Sequence, residues 1–303
     1  MTASSKIITP DDDSGFNWII RKCFGGEGSI SETTKDIPDK FSVGKSIVAV
    51  TDTDAGVLSK IPFDVTAIDA CDAVTGWTID GAGTTIALNT TDELVGTGCI
   101  NLVINDITDV VSFYKTVTSV DLSATGTGMH MFMYITDFSY MDTDTVTITL
   151  GTGGFTNDNV YVIPFAKLVQ DGWFSIDLLD LSDYDSQDGT GATLSDIDSI
   201  KLSFVSALDS SGNNIMMDQW SYALAADYKK DFEATYPTTN STNFSIVFQS
   251  KITTTEANGF NIAESVIQND DDMPLSRSNF TVFQKSSDKE IRITNTIRFS
   301  NKV

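Results

Sequence analysis

Histidine is nearly absent from this chain: His130 is the only one in 303 residues. A Ser-His-Asp relay would therefore have one candidate base. No G-x-S-x-G elbow accompanies it, and no H-E-x-x-H or zinc spacing exists. Cysteine is scarce too. Cys23, Cys71 and Cys99 lie far apart and form no C-x-x-C pair, which excludes a dense disulfide framework. Cys71 and Cys99 stand as either a bridge or two small buried hydrophobes. Cations are outnumbered, with 19 Lys and Arg against 42 Asp and Glu and a net charge of −23. Such a surface repels phosphate backbones and anionic bilayers, so no nucleic-acid partner and no membrane insertion are expected. Long apolar runs are missing: stretches such as "MHMFMYI" fall far short of the roughly 20 residues of a membrane helix. The opening "MTASSKIITPDDDSG" lacks an apolar signal core, so the expectation is a soluble protein made in the cytoplasm.

What is present is β alternation. It runs through "CINLVIND" (Ile100, Leu102, Ile104), "TVTITLG" (Val146, Ile148, Leu150), "WFSIDLL" (Phe174, Ile176, Leu178) and "SIKLSF" (Ile200, Leu202, Phe204). It returns in "NFSIVFQSKI" (Phe244, Ile246, Phe248) and "EIRITNTIRF" (Ile291, Ile293, Ile297, Phe299). Turn clusters such as "DGAGTT" and "SSGNN" separate the runs, as in a sandwich or barrel. Hydrophobic residues at 41% supply a core. Helical candidates are "FNWIIRKCFGG", stopped by Gly25 and Gly26, and a connector, "ALAADYKKDFE". Pro62 and the polar stretch "EATYPTTNST" around Pro237 read as boundaries. Residues 1–62 and 226–303 are each short for an independent core, whereas together they suffice. The expectation is an all-β chain of two β-sandwich domains, with residues 63–225 inserted into a terminal sandwich built from both chain ends.

Two resemblances follow. The outer pieces carry "NWIIRKCFGG", "FSVGKSIVAVTDTDAGVLSKI", "TTEANGFNIAESVI" and "MPLSRSNFTVFQKSSDKEIRITNTIRF" in an order that resembles tailed-phage virion proteins of the tail-fibre, collar and minor structural kind. "VGK" and "AESVI" depart from the usual "VGTG" and "EIGLF". The middle opens "DACDAVTGW" and closes "DGWFSIDLLDLSDYD…SIKLSFVSALDSSGNNIMMDQWSYA". It resembles the jelly rolls of carbohydrate-binding modules and galactose-binding domains. Here "MMDQW" stands for the family's "IDDI", so Gln219 replaces one late acid.

These resemblances imply sites. Calcium, the best cofactor candidate, takes several oxygen ligands. The jelly-roll likeness places it at Asp69, Asp72 and Asp218, while "DLSDYDSQDGTG" (Asp180, Asp183, Asp185, Asp188) departs from loop-type calcium spacing. Any sugar stacking would fall to Trp77, Trp173 or Trp220, of which Trp77 and Trp173 match family positions usually in the core. His130, among Met and Phe, reads as structural. In the terminal piece Glu264 interrupts the apolar row Phe260, Ile262, Val266. A buried carboxylate needs a partner, and Arg277, across the loop "QNDDDMP", is the expected one; the alternative is a bulge that turns both residues to water.

The expected function is a non-enzymatic structural component of a virus particle in tail, neck or capsid surface, forming a homo-oligomer with itself and contacting other virion proteins. Its outward jelly roll would touch neighbours or host-surface glycans. The rival is a carbohydrate-binding module or a polysaccharide-active protein outside a virion.

Overall fold

The computed structural model describes residues 4–7, 38–45, 60–81, 83–105, 110–142, 144–168, 171–210, 212–240, 245–269 and 274–298. The contacts divide the chain into two compact units, Met1–Asp64 with Ala226–Val303, and Val65–Ala225. The chain is all-β. Among the described residues helical structure is confined to 3-10 turns of three or four residues, and no helix is long and apolar enough to cross a membrane.

The terminal unit begins with β1 (Ser4–Ile7), β2 (Lys40–Gly44) and β3 (Lys60–Ile61). The inserted unit supplies β4 (Thr66–Asp69), β5 (Trp77–Asp80), β6 (Thr85–Asn89), β7 (Cys99–Val103), β8 (Val110–Val120) and β9 (Gly128–Ile135). It continues with β10 (Thr145–Thr152), β11 (Asn157–Pro164), β12 (Gly172–Leu178), β13 (Ser186–Asp188), β14 (Ile197–Val205) and β15 (Ile215–Ala223). The terminal unit resumes with β16 (Lys230–Asp231), β17 (Thr238–Asn240), β18 (Ser245–Ile252), β19 (Asn261–Gln268), β20 (Pro274–Gln284) and β21 (Ile291–Arg298).

The inserted unit is a jelly-roll-like sandwich of two antiparallel sheets. The front sheet has the order β12-β9-β15-β7-β6 with β4 on β15, and the back sheet the order β13-β11-β10-β14-β8-β5. The strand period of two decides the core. Met129, Met131, Met133 and Ile135 of β9 and Phe174, Ile176 and Leu178 of β12 point inward. They meet Val146, Ile148 and Leu150 of β10 and Ile200, Leu202 and Phe204 of β14. Methionine's unbranched chain fills such irregular gaps. Trp77 and Trp220 pack against each other within this core, ring centroids 6.3 Å apart. Gln219 is a bulge residue with φ 30°. The register shift there lets Asp218 face outward while Trp220, two positions on, turns inward. Cys71 and Cys99 are both buried free thiols, not a bridge.

In the terminal unit the sheet β1-β20-β19-β2-β16, with β3 on β2, faces the sheet β17-β18-β21. Phe248, Ile267, Leu275 and Ile297 form the core between them, joined by Phe232 and Ile246. Two expectations change. The helical connector is only the 3-10 turn Ala225–Tyr228, followed by β16, because each side of the turn is claimed by sheet pairing. The polar stretch around Pro237 is not a free linker: Thr238–Asn240 pair with Ser245–Val247 as β17. The expected helix "FNWIIRKCFGG" lies outside the described residues.

Candidate functional site

The loop joining β6 to β7 folds over the outer face of the front sheet and is held at every turn. Asn89 Oδ1 accepts from the backbone N–H groups of Thr91 and Asp92. Asp218 Oδ2, on β15, accepts from Leu94 N and Val95 N, each at 2.9 Å. Asp72 Oδ1 accepts from Thr97 N at 2.7 Å. That last approach requires glycine at 96: its φ is +82°, and a Cβ there would lie 2.7 Å from Asp72 Oδ1.

Two of the three predicted calcium ligands, Asp72 and Asp218, are thus anchors for loop amides. The third, Asp69, accepts from Cys71 N at 3.0 Å and Trp77 Nε1 at 3.3 Å through Oδ1. Its Oδ2 lies 2.6 Å from Lys115 Nζ. Lys115 comes from β8 of the back sheet and also sits over the Trp77 ring at 5.7 Å. Its ammonium ties the two sheets together at Asp69. Among the described residues no group of three or more His, Cys, Asp or Glu is arranged to hold a metal ion. The arrangement fits calcium poorly: an ammonium 2.6 Å from Asp69 Oδ2 would repel the ion, and one oxygen each of Asp72 and Asp218 is taken by loop N–H groups. Asp218 is fully buried, and its Oδ1 has no hydrogen-bond partner among the described residues. Burial, with a contribution from Asp72, raises its pKa from 3.8 to about 6, although the backbone hydrogen bonds pull the other way.

The acids of "DLSDYDSQDGTG" also serve the backbone. Asp180 Oδ1 accepts from Ser182, Asp185 Oδ2 from Val162 N and Asp188 Oδ1 from Gly189 N. They do not converge.

Beside the loop lies an aromatic pair. Trp173 of β12 and Tyr134 of β9 are directly opposite in register, and both point away from the core. Their rings are tilted at 59° with centroids 5.7 Å apart, and both are half-buried. Trp173 Nε1 donates to the Asp92 carbonyl at 3.1 Å, which fixes the ring's orientation. Tyr134 Oη donates to Asp171 Oδ1 at 3.3 Å. Met216 follows Tyr134 across β15. Its sulfur accepts from Asn89 Nδ2, which also donates to Asp92 Oδ2. Asn213 donates to the same Asp92 oxygen. Asp92, Glu93, Tyr134, Trp173, Asn213 and Met216 line a recess of about 270 Å³.

Of the three tryptophans of the inserted unit, Trp77 and Trp220 are core residues, and Trp173 is not, contrary to what the resemblance implied. Its placement was legible in the alternation: with Phe174, Ile176 and Leu178 inward, Trp173 must face out. Tyr134 follows from the same parity against Met129, Met131 and Met133. Nothing in the sequence marks Asp92, Glu93 or Asn213, which loop folding alone brings to the pair.

His130 lies on the outer face of β9, fully buried. Its Nδ1 is 2.8 Å from Asp177 Oδ1, and Ser175 Oγ donates to Asp177 Oδ2 at 3.0 Å. The carboxylate bridges serine and histidine. In the terminal unit Arg277 Nε donates to Glu264 Oε2 at 2.6 Å, both side chains fully buried.

No protein-family model matches this chain. No curated protein matches it either. Among solved structures it is similar to the family 11 carbohydrate-binding module from Clostridium thermocellum in complex with a β-1,3-1,4-mixed-linked tetrasaccharide, at 15% identity and TM-score 0.39, over 55% of this chain and 98% of that one. It is similar to a family 30 carbohydrate-binding module of a Clostridium thermocellum cellulosomal cellulase, at 12% identity and TM-score 0.34, over 55% and 93%. It is also similar to the enzymatically active domain of bacteriophage CBA120 tailspike protein 4, at 14% identity and TM-score 0.35, over 54% of this chain and 21% of that one. At this level the likeness bears on neither ligand nor role.

Proposed function

We propose that the Val65–Ala225 unit is a carbohydrate-binding module whose contact surface is the Trp173–Tyr134 pair and the recess beside it. One observation carries this reading: two aromatic rings stand on the outer face of a sheet, one pinned by the Asp92 carbonyl, beside carboxylate and amide side chains. Sugar rings present apolar C–H faces to aromatics, and their hydroxyls hydrogen-bond to groups such as Asp92, Glu93 and Asn213. The pinned indole is ordered before binding, so less freedom is lost when a sugar stacks on it. This favours the glycan-binding alternative weighed from the sequence over a purely structural role.

A glycan array probed with the whole chain, followed by calorimetry on the hits, tests the reading. Trp173→Ala should abolish binding and Tyr134→Ala should weaken it, with the melting temperature little changed. Full affinity in Trp173→Ala, or no glycan retained by the wild-type chain, defeats it.

For the terminal unit we propose attachment within a homo-oligomeric virus particle, supported by the order of its sequence motifs. Sedimentation tests this part: a chain that stays monomeric at all concentrations counts against it.

A further inference from the structure

We infer that the glycan taken by this recess carries a protonated amine, as in an oligomer of free glucosamine, in preference to a neutral or uronic-acid sugar. The inference rests on the glycan-binding reading and adds the charge of the ligand. Among the described residues the recess lining contains two carboxylates, Asp92 and Glu93, and neither lysine nor arginine. Glu93 is exposed and makes no hydrogen bond or ion pair among the described residues. Asp92 is held through Oδ2 by the neutral donors Asn89, Thr91 and Asn213, which fix its position without cancelling its charge. A third carboxylate, Asp171, is reached through the Tyr134 hydroxyl.

The aromatic pair is therefore bordered by negative charge, with no cation among the described lining residues. An ammonium group is donor-only, with three N–H bonds, and matches a border of carboxylate acceptors. It is also attracted to the faces of Trp and Tyr rings. A uronate brings like charge against Asp92 and Glu93. An N-acetylated sugar keeps the same ring and loses the charge. The net charge of −23 adds a longer-range attraction for cationic polymers.

The test is calorimetry on the whole chain, in buffer acid enough to protonate the amine. The probes are a glucosamine tetramer, the N-acetylglucosamine tetramer, cellotetraose and an oligogalacturonate. The amine-bearing tetramer should bind about tenfold tighter than its acetylated counterpart, the size expected for a nearby opposite charge in a watery setting. Glu93→Gln should narrow that gap, and raising the salt should narrow it further. Trp173→Ala should remove binding of every probe. Equal affinity for the two tetramers, or uronate binding as tight as amine binding, overturns the inference and leaves glycan binding intact. No binding by any probe overturns both.

Discussion

Glu264 and Arg277 sit on adjacent strands of one sheet, diagonal to each other, with Arg277 in register with Val266 and Glu264 in register with Asn279. Between Ile262 and Glu264 the ladder is irregular: two steps along β19 correspond to four along β20, from Phe283 to Asn279. The extra residues lie on β20, so β19 keeps its pleat and Ile262, Glu264 and Val266 share a face. Diagonal positions are within reach of long side chains, and arginine spans the gap. Ile267, of opposite parity, points into the core shared with β18 and β21, so the ion pair lies on the other face of its sheet.

Both charges are fully buried, so removing one leaves the other buried without its opposite charge in this pair. Glu264→Gln or Arg277→Met alone should each destabilise the terminal unit by about 3–5 kcal/mol. The double variant should cost less than the sum. Chemical denaturation of the four proteins gives the coupling energy, and a value near zero would refute the pairing.

Asp218 makes stability depend on pH. Its folded pKa of about 6 lies above the ordinary 3.8, because burial penalises the charged form. A raised pKa means that the folded state binds the proton more tightly. The contribution is fully present below about pH 4 and is lost as pH rises through about 6, amounting to about 3 kcal/mol. Asp218→Asn should flatten the stability profile across that window while keeping an acceptor for Leu94 and Val95. An unchanged slope between these pH values would contradict the assignment.

Lys115 supplies the positive charge at Asp69. Chelation with EDTA should therefore leave the melting temperature of the inserted unit unchanged, since only an ion bound to the folded state would be lost with a penalty. Lys115→Met should lower stability by about 1–3 kcal/mol, the cost of leaving a largely buried carboxylate short of a partner. A fall in melting temperature on chelation of the wild-type chain would reveal an ion.

The inserted unit contains its own core, from Trp77 and Phe113 to Trp220. A fragment of residues 65–225 should be soluble and unfold in one cooperative transition by calorimetry. Broad, non-cooperative melting would show that it depends on the terminal pieces.

Much of the molecule follows from the order of residues alone. Alternation in "TVTITLG", "WFSIDLL" and "SIKLSF" determined the strands and their inward faces, because side chains in a strand alternate whatever they pack against. It also set Glu264 on a face with Ile262 and Val266, where a buried carboxylate requires a partner. Tertiary structure decided the rest. Leu94 meets Asp218 across 124 residues and Trp173 meets Asp92 across 81. Neither contact leaves a local period to detect, because a loop's path is set by the donors and acceptors it finds on the finished sheet. The same applies to Asp69. Family likeness offered it to calcium, and only the sandwich brings Lys115 from the opposite sheet to within 2.6 Å of it.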